Sequence, residues 1–407
     1  MLDLPKFIAR HITGRTESLF QADLNQFNTE LNQRIKGKSV LVIGGAGTIG
    51  ASFIKALLRF QPARLFVVDT NENALTELVR DLRSSLKFRI PELFFTYPID
   101  FGDPVFEKIL QREGPFEIVA NFAAHKHVRS EKDRYAIEAM LRNNVFKTRH
   151  LLDLLKVHKP EHFFCVSTDK AANPVSVMGA SKKLMEQLIL SYSSEFPVAT
   201  ARFANVAFSN GSLPAGFLER IMKRQPLSAP LDVERYFVSP EEPGQLCLLA
   251  CILGISGDIF FPKLDAKLDV RRFSEISTAL LQTLGFEPDI CSTEQEAREK
   301  AAHLDIHSKT WPVYYFNSET SGEKALEEFF TETEAVEMSQ FAAIGVVKNR
   351  IGPSEETNPM NSSKILAELE AILAMETITK AELVLALKRL VPDFQHLETG
   401  KSLDQKM

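Results

Sequence analysis

Between residues 38 and 50 the chain reads KSVLVIGGAGTIG, a short apolar, β-branched run that ends in glycines at 44, 47 and 50. A run of that length and composition is a strand, and the residues after it, as far as Leu58, have helical spacing. A second apolar run, RLFVVD, follows and ends on Asp69. Strand, tight glycine turn, helix and strand make a βαβ unit, which demands a parallel sheet with its helix packed across one face.

Four more apolar runs, FFTYPID, IVANFAA, HFFCVST and VATARFANV, alternate with helical segments up to residue 207. The expected fold is therefore α/β, a doubly wound parallel sheet of the Rossmann type over residues 38–207. Phe20, Leu24, Phe27, Leu31 and Ile35 are spaced for an amphipathic helix over about 17–36, so 1–37 reads as an N-terminal helical segment. Residues 208–330 read as a smaller part that closes over a ligand, with returns to the core possible. They hold a loop, RQPLSAPLDVERYFVSPEEPG, a helix near 243–254 and a short strand, DIFFPKL. From about 322 the composition turns helical and charged, and 331–407 reads as a helical C-terminal extension containing the polar linker IGPSEETNPMNSS.

With 44% hydrophobic residues in 407, the chain can bury a large core and is not a disordered protein. Its net charge is −5 with no basic block, so neither nucleic acid nor an anionic membrane is an expected partner. No run approaches the roughly 20 apolar residues of a membrane span, and MLDLPKFIARHITGR lacks the apolar core of a signal peptide. A cytoplasmic location is expected. The cysteines, Cys165, Cys247, Cys251 and Cys291, have no ligand spacing, so no metal is expected; Cys247 and Cys251 share one helix face as small core residues.

The ligand must be sought locally, and the glycine turn is the first place to look. Gly44, Gly47 and Gly50 allow a tight turn, a close approach of a pyrophosphate and close packing of helix on strand. Thr48 and Ile49 open the helix whose N–H groups face the phosphates. Asp69 ends the second strand, where a carboxylate accepts hydrogen bonds from the adenosine ribose. Asp100 ends the third, in reach of the adenine amino group, and Ala123 is placed beside the cofactor. Thr70, Asn71, Glu72 and Asn73 follow Asp69 with no cation for a 2′-phosphate, so NAD is expected rather than NADP, with Asn71 among its contacts.

The stretch FFCVSTDKAANPVSVMGASKKLMEQ, residues 163–187, resembles the bacterial nucleotide-sugar 4,6-dehydratases of the CapD-like polysaccharide-biosynthesis family, which are extended short-chain dehydrogenases/reductases. NFAAHKHV (121–128), RFANVAFSNGS (202–212), RYF (235–237) and SGEK (321–324) are similar to further motifs of that family, in the same order. Roughly residues 38–330 are covered. One position departs from most short-chain dehydrogenases: Met178 stands four residues before Lys182, where those enzymes have tyrosine. A subgroup of the family carries the same methionine, which implies an active enzyme with another base.

The resemblance implies dehydration of a nucleotide-activated sugar, UDP-N-acetylglucosamine, to a 4-keto-6-deoxy sugar for surface polysaccharide or glycan synthesis. Thr168 is assigned to the C4 oxygen. Asp169 protonates the leaving C6 hydroxyl, with the C4 proton as a second duty. Lys170 takes the C5 proton, its pKa expected to be depressed by Lys182 and burial. Lys182 is assigned to the nicotinamide ribose. Substrate contacts are implied for Lys126, His127, Asn205, Arg235, Lys263 and Glu323, with Arg235 suited to a diphosphate. A homo-oligomer is implied as well. A 4-epimerase or reductase of the same ligand, or a non-catalytic NAD-binding regulator supported by Met178, remain alternatives.

Overall fold

The computed structural model describes residues 2–324, 326–349 and 359–400. Among them the main sheet has nine strands: β1 (Ser39–Ile43), β2 (Arg64–Val68), β3 (Leu93–Tyr97), β4 (Ile118–Asn121), β5 (His162–Val166), β6 (Val198–Ala201), β7 (Asp258–Pro262), β8 (Val336–Glu337) and β9 (Ile344–Lys348). Their order across the sheet is β8-β9-β7-β6-β5-β4-β1-β2-β3. β1 through β7 pair in parallel, whereas β9 runs antiparallel to both β7 and β8. Successive crossovers reverse direction between β1 and β4, and at such a switch point the carboxyl ends of neighbouring strands part to leave a crevice.

β1, every residue of which is buried, lies between β2 and β4, so both of its faces are covered by helices. On one face α1 (Thr48–Leu58) packs against α3 (Glu242–Leu253); on the other runs α2 (Val177–Leu190). α3 is buried along its whole length, which explains its uniformly apolar sequence and places Cys247 and Cys251 in the core. A side chain at Gly244 would lie 2.2 Å from the Ser52 backbone, so only glycine lets α3 approach α1 this closely.

The expected N-terminal helix is two helices, Gln21–Gln26 and Asn28–Ile35, with the break at Phe27. Phe20, Leu24, Leu31 and Ile35 are nonetheless buried in the same core cluster as α1 and α3, so the segment packs within its own chain.

DIFFPKL is one of the returns to the core that the reading of 208–330 allowed: its strand is β7, wholly buried in the main sheet. Two further expectations are corrected. The stretch read as loop after residue 224 is not loop throughout but holds two strands, Leu227–Pro230 and Glu234–Val238, each in a small three-stranded sheet. Nor is the C-terminal region helical from its start, because described residues of 321–335 form turns and β8 and β9 complete the sheet edge. Among the described residues, helices come there only at Pro359–Leu373 and Lys380–Leu390, which bury Leu369, Leu373, Leu383 and Leu387 in the cluster that contains Met185 and Leu188 of α2. The linker expected from 351 lies largely outside the described residues, as does the tail beyond Gly400.

Candidate active site

A cavity of about 740 Å³ opens at the carboxyl ends of β1, β4 and β5, and its walls carry both the glycine turn and the Thr168–Lys170 segment. At the turn, Gly44 has φ 70° and its N–H donates to the Val68 carbonyl at 2.7 Å. A Cβ at Gly44 would lie 2.5 Å from the Ala123 nitrogen, and one at Gly50 2.3 Å from the Gly44 oxygen. Gly47 differs: a Cβ there would meet only the Gly44 oxygen, at 3.4 Å, because the residue faces the cavity. It precedes α1 without any side-chain cap, so the N–H groups of the first turn are left for a ligand. An open cradle of this kind fits the pyrophosphate of a dinucleotide, and Thr48, Ile49 and Ala123 line the same wall.

Asp69 lines the cavity and also ties the turn to β2, its Oδ2 accepting from the Ala46 N–H at 3.0 Å and its Oδ1 from the Asn71 N–H at 2.9 Å. Asp100 lines the cavity too, but Oδ2 is paired with Lys147 Nζ at 2.5 Å and Oδ1 accepts from the Gly102 N–H at 2.7 Å. Asn71 is not on the cavity wall; it caps the helix Glu72–Arg83 through the Ala74 N–H.

At the other end of the cavity, β5 runs out into Thr168, whose side chain caps the short turn Asp169–Ala171. Asp169 is 2% exposed; its Oδ1 accepts from Thr168 Oγ1 at 2.7 Å and Lys170 Nζ at 3.0 Å, while Oδ2 is buried without a partner. A buried carboxylate oxygen left unpaired is costly unless a ligand supplies its donor.

Lys170 overturns one expectation. Burial pulls its pKa down, but Asp169 and Glu327 outweigh burial and the direction is upward, with Arg235 opposing. Glu327 Oε1 stands 3.7 Å from Lys170 Nζ and is buried. Lys182, by contrast, is depressed: burial takes it to about 8, against the opposing influence of Cys165 and Glu186. Its Nζ donates to the Val166 carbonyl at 3.1 Å and reaches Met185 Sδ at 3.6 Å. Met178, one turn earlier on α2, is buried and lines the cavity.

Of the six expected substrate residues, Lys126, His127 and Asn205 line the cavity and Arg235, Lys263 and Glu323 do not. Lys126 Nζ donates to the Asn210 carbonyl at 3.1 Å, and His127 packs on Gly211, where a Cβ would lie 3.2 Å from the ring. Arg235 is buried and donates to Glu323 Oε1 at 3.1 Å and the Lys324 carbonyl at 2.9 Å. Lys263 Nζ is spent on the carbonyls of Met338 at 2.5 Å and Phe341 at 2.6 Å, closing the turn before β9.

Several supporting residues escaped the sequence reading. Glu131 Oε2 accepts from the Val177 N–H at 2.6 Å, anchoring the start of α2, and Oε1 faces His396 Nε2 at 3.3 Å. Arg202, fully buried, pairs with Glu186 of α2 at 2.7 Å and with Glu334 at 2.8 Å. Asn144 holds the His125 backbone through both of its amide atoms and bonds Ser181 Oγ at 3.1 Å. A charged residue inside an apolar run, such as Arg202 in VATARFANV, was the available signal for such a network.

No helix among the described residues is long and apolar enough to cross a membrane, and no group of His, Cys, Asp and Glu among them could hold a metal ion.

Known proteins are similar to this chain in sequence and in fold. An uncharacterized membrane protein of Methanocaldococcus jannaschii is 33% identical over 64% of this chain and 77% of its own length. The probable polysaccharide biosynthesis protein EpsC of Bacillus subtilis is 31% identical over 57% of this chain, which spans only 39% of EpsC. A UDP-N-acetylglucosamine 4,6-dehydratase (inverting) of Campylobacter jejuni is 24% identical over 56% of this chain and 67% of its own, and UDP-glucose 4-epimerases match as well. In fold, the chain resembles DesIV, a dTDP-glucose 4,6-dehydratase of Streptomyces venezuelae crystallised with NAD, at a TM-score of 0.53 and 20% identity over 71% of this chain and 87% of that one. Residues 40–349 match the polysaccharide biosynthesis protein family throughout, and the chain belongs to that family.

Proposed function

We propose that the protein is an NAD-dependent nucleotide-sugar 4,6-dehydratase, acting on UDP-N-acetylglucosamine or a close relative in the synthesis of a surface polysaccharide or glycan. One observation carries the reading: Thr168, Asp169 and Lys170 share a cavity with the glycine turn, and one oxygen of Asp169 is buried there without a partner. Loss of water needs an acid at the leaving hydroxyl and a base at the neighbouring carbon, and a carboxyl beside an amine supplies both. Epimerisation at C4 needs neither.

NAD, when bound, supplies the hydride acceptor, held by Gly44, Gly47, Thr48, Ile49, Gly50, Asp69, Asp100 and Ala123. The absence of a cation just after Asp69 favours NAD over NADP. The free Oδ2 of Asp169 accepts the proton of the sugar C4 hydroxyl, the task that Met178 is unable to perform. Thr168 Oγ1 donates to Asp169 Oδ1 and so occupies that oxygen, leaving Oδ2 as the one without a donor. Once protonated, Asp169 is the acid for the C6 hydroxyl, and Lys170 handles the C5 proton. Lys182 places positive charge beside the developing C4 oxyanion and hydrogen-bonds the nicotinamide ribose. Lys126, His127 and Asn205 contact the nucleotide sugar, while Arg235 and Glu323 act from behind the wall.

The test is NMR of the purified protein with UDP-N-acetylglucosamine in deuterated water. One water should be lost, deuterium should appear at C5 and not at C6, and no NADH should accumulate. A 4-epimer without loss of water, or stoichiometric NADH, overturns the assignment.

A further inference from the structure

To act as the base for the C5 proton, Lys170 must be an amine, yet it is held as an ammonium between Asp169 Oδ1 at 3.0 Å and Glu327 Oε1 at 3.7 Å. Asp169 has a separate task at the C4 and C6 oxygens, so it is not free to relieve Lys170 of its proton. Glu327 is free for that task. It is 4% exposed and off the cavity wall, so no substrate atom competes for it. Asp169, Lys170, Arg235 and Lys324 are the charged groups acting on it, and Arg235 is in turn paired with Glu323 at 3.1 Å. Burial raises the pKa of Glu327 against the pull of Lys170. The neighbouring Glu328 turns away to Asn173 and Lys324.

We propose that Glu327 is a positioning residue that takes the ammonium proton of Lys170 and so converts Lys170 into the amine that removes the C5 proton, an inference that rests on the dehydratase reading. The transfer breaks one N–H bond and forms one O–H bond, turning an ion pair into a neutral pair. An approach of under about 1 Å brings the two heavy atoms to hydrogen-bond distance.

The order of events follows from charge. The C4 hydroxyl proton passes to Asp169 and cancels one of the two negative charges that hold Lys170 protonated. The Lys170 proton then passes to Glu327, and the amine forms its new N–H bond with the C5 hydrogen. The C5–H electron pair stays on the sugar and expels the C6 oxygen, which leaves as water with the proton from Asp169. When Lys170 reprotonates C5 and Glu327 returns its proton to Lys170, every residue regains its starting charge. Arg235, paired with Glu323 off the cavity wall, belongs to this scheme as a positive charge that acts on Glu327.

The test compares Glu327→Gln, Glu327→Asp and Glu328→Gln with wild type in two measurements. One is the pH profile of deuterium entry at C5 of UDP-N-acetylglucosamine. The other is the titration of Lys170 Nζ by ¹⁵N NMR, assigned with Lys170→Arg. Glu327→Gln should slow C5 exchange about 10²-fold at neutral pH, and the rate should climb with pH because Lys170 must then lose its proton to solvent. Its Nζ titration should move down. Glu327→Asp should restore much of the rate, and Glu328→Gln should match wild type. A Glu327→Gln profile parallel to wild type, or an unmoved Lys170 titration, overturns the proposal. If wild type neither exchanges C5 nor loses water, the dehydratase reading falls instead, and the Lys170 titration alone decides whether Glu327 governs its proton.

Discussion

At one end of the cavity the Gly44–Gly50 turn is closed by backbone contacts, with glycines at van der Waals limits against Ala123 and against one another. At the other end the walls are held by buried charge: Asp169, Lys170, Glu327, Arg235 and Glu323 alternate in sign from the cavity into the interior. The first arrangement needs small residues in one contiguous stretch and tolerates no added atom at Gly44 or Gly50. The second draws on segments more than 150 residues apart, tolerates shape-preserving changes, and is sensitive to any change of charge. Binding of nucleotide and chemistry on the sugar are therefore expected to fail separately.

Asp169→Asn tests that separation most severely. The change preserves shape and removes the proton acceptor, so turnover should fall roughly 10²–10⁴-fold while nucleotide affinity stays near wild type. Isothermal titration beside the turnover assay distinguishes the two. Equal losses in both would mean that the two ends are not independent.

Lys182 provides the next test, on stability. Its folded pKa is about 8 against an ordinary lysine value of 10.5, so between those values the unfolded chain binds the proton and the folded one does not. Stability of the apo-protein should rise as pH climbs through that window, and the penalty should be complete below 8. Lys182→Met should accordingly stabilise at pH 7 by up to roughly 3 kcal/mol, with the gain gone near the upper limit. Urea unfolding across the pH range measures it; a gain independent of pH would remove buried charge as the cause.

How much of this was legible in the sequence follows the same division. Gly44, Gly47, Gly50 and Asp69 were readable because a βαβ unit is local and its turn chemistry is written in adjacent residues. The Thr168–Lys170 segment was readable through its position after a strand and through the motifs around it. Glu327 was not, since ALEEFF looks like an amphipathic helix until β8 and β9 pull the chain into the sheet edge. The low lysine was also misplaced: Lys170 pairs with the adjacent Asp169 and with Glu327, which is far away in sequence, whereas among the described residues no carboxylate lies within ion-pair reach of Lys182. Lys263 failed for a third reason, because a loop needing donors for its carbonyls uses a lysine as readily as a diphosphate does.

Gly47→Ala is a smaller perturbation that probes the nucleotide end alone. Residue 47 has φ −68°, which alanine adopts without strain, and its Cβ would touch only one atom. Thermal stability should hardly change, yet cofactor affinity should drop about tenfold, or roughly 1.4 kcal/mol, as the methyl group fills the phosphate cradle. Gly50→Ala, with its 2.3 Å clash, should instead lower stability by about 1–3 kcal/mol. Equal loss of stability in both would show that Gly47 serves packing and not ligand approach.

The smallest effect is expected at Met178, the position where a tyrosine would have marked an ordinary member of the wider superfamily. Its side chain is 1% exposed and belongs to the core cluster that joins α2 to the C-terminal helices, so its evident duty is to fill volume. Leucine has nearly the same volume, and such exchanges in a core usually cost less than about 1.5 kcal/mol. A thioether neither accepts the C4 proton nor stabilises an oxyanion, so replacing it should leave turnover within about twofold and the pH profile unchanged in shape. The proton route through Asp169 requires this outcome. Should Met178→Leu abolish turnover while Asp169→Asn retains it, the chemistry does not run through the buried charges at all, and the contrast between the two ends of the cavity loses its functional meaning.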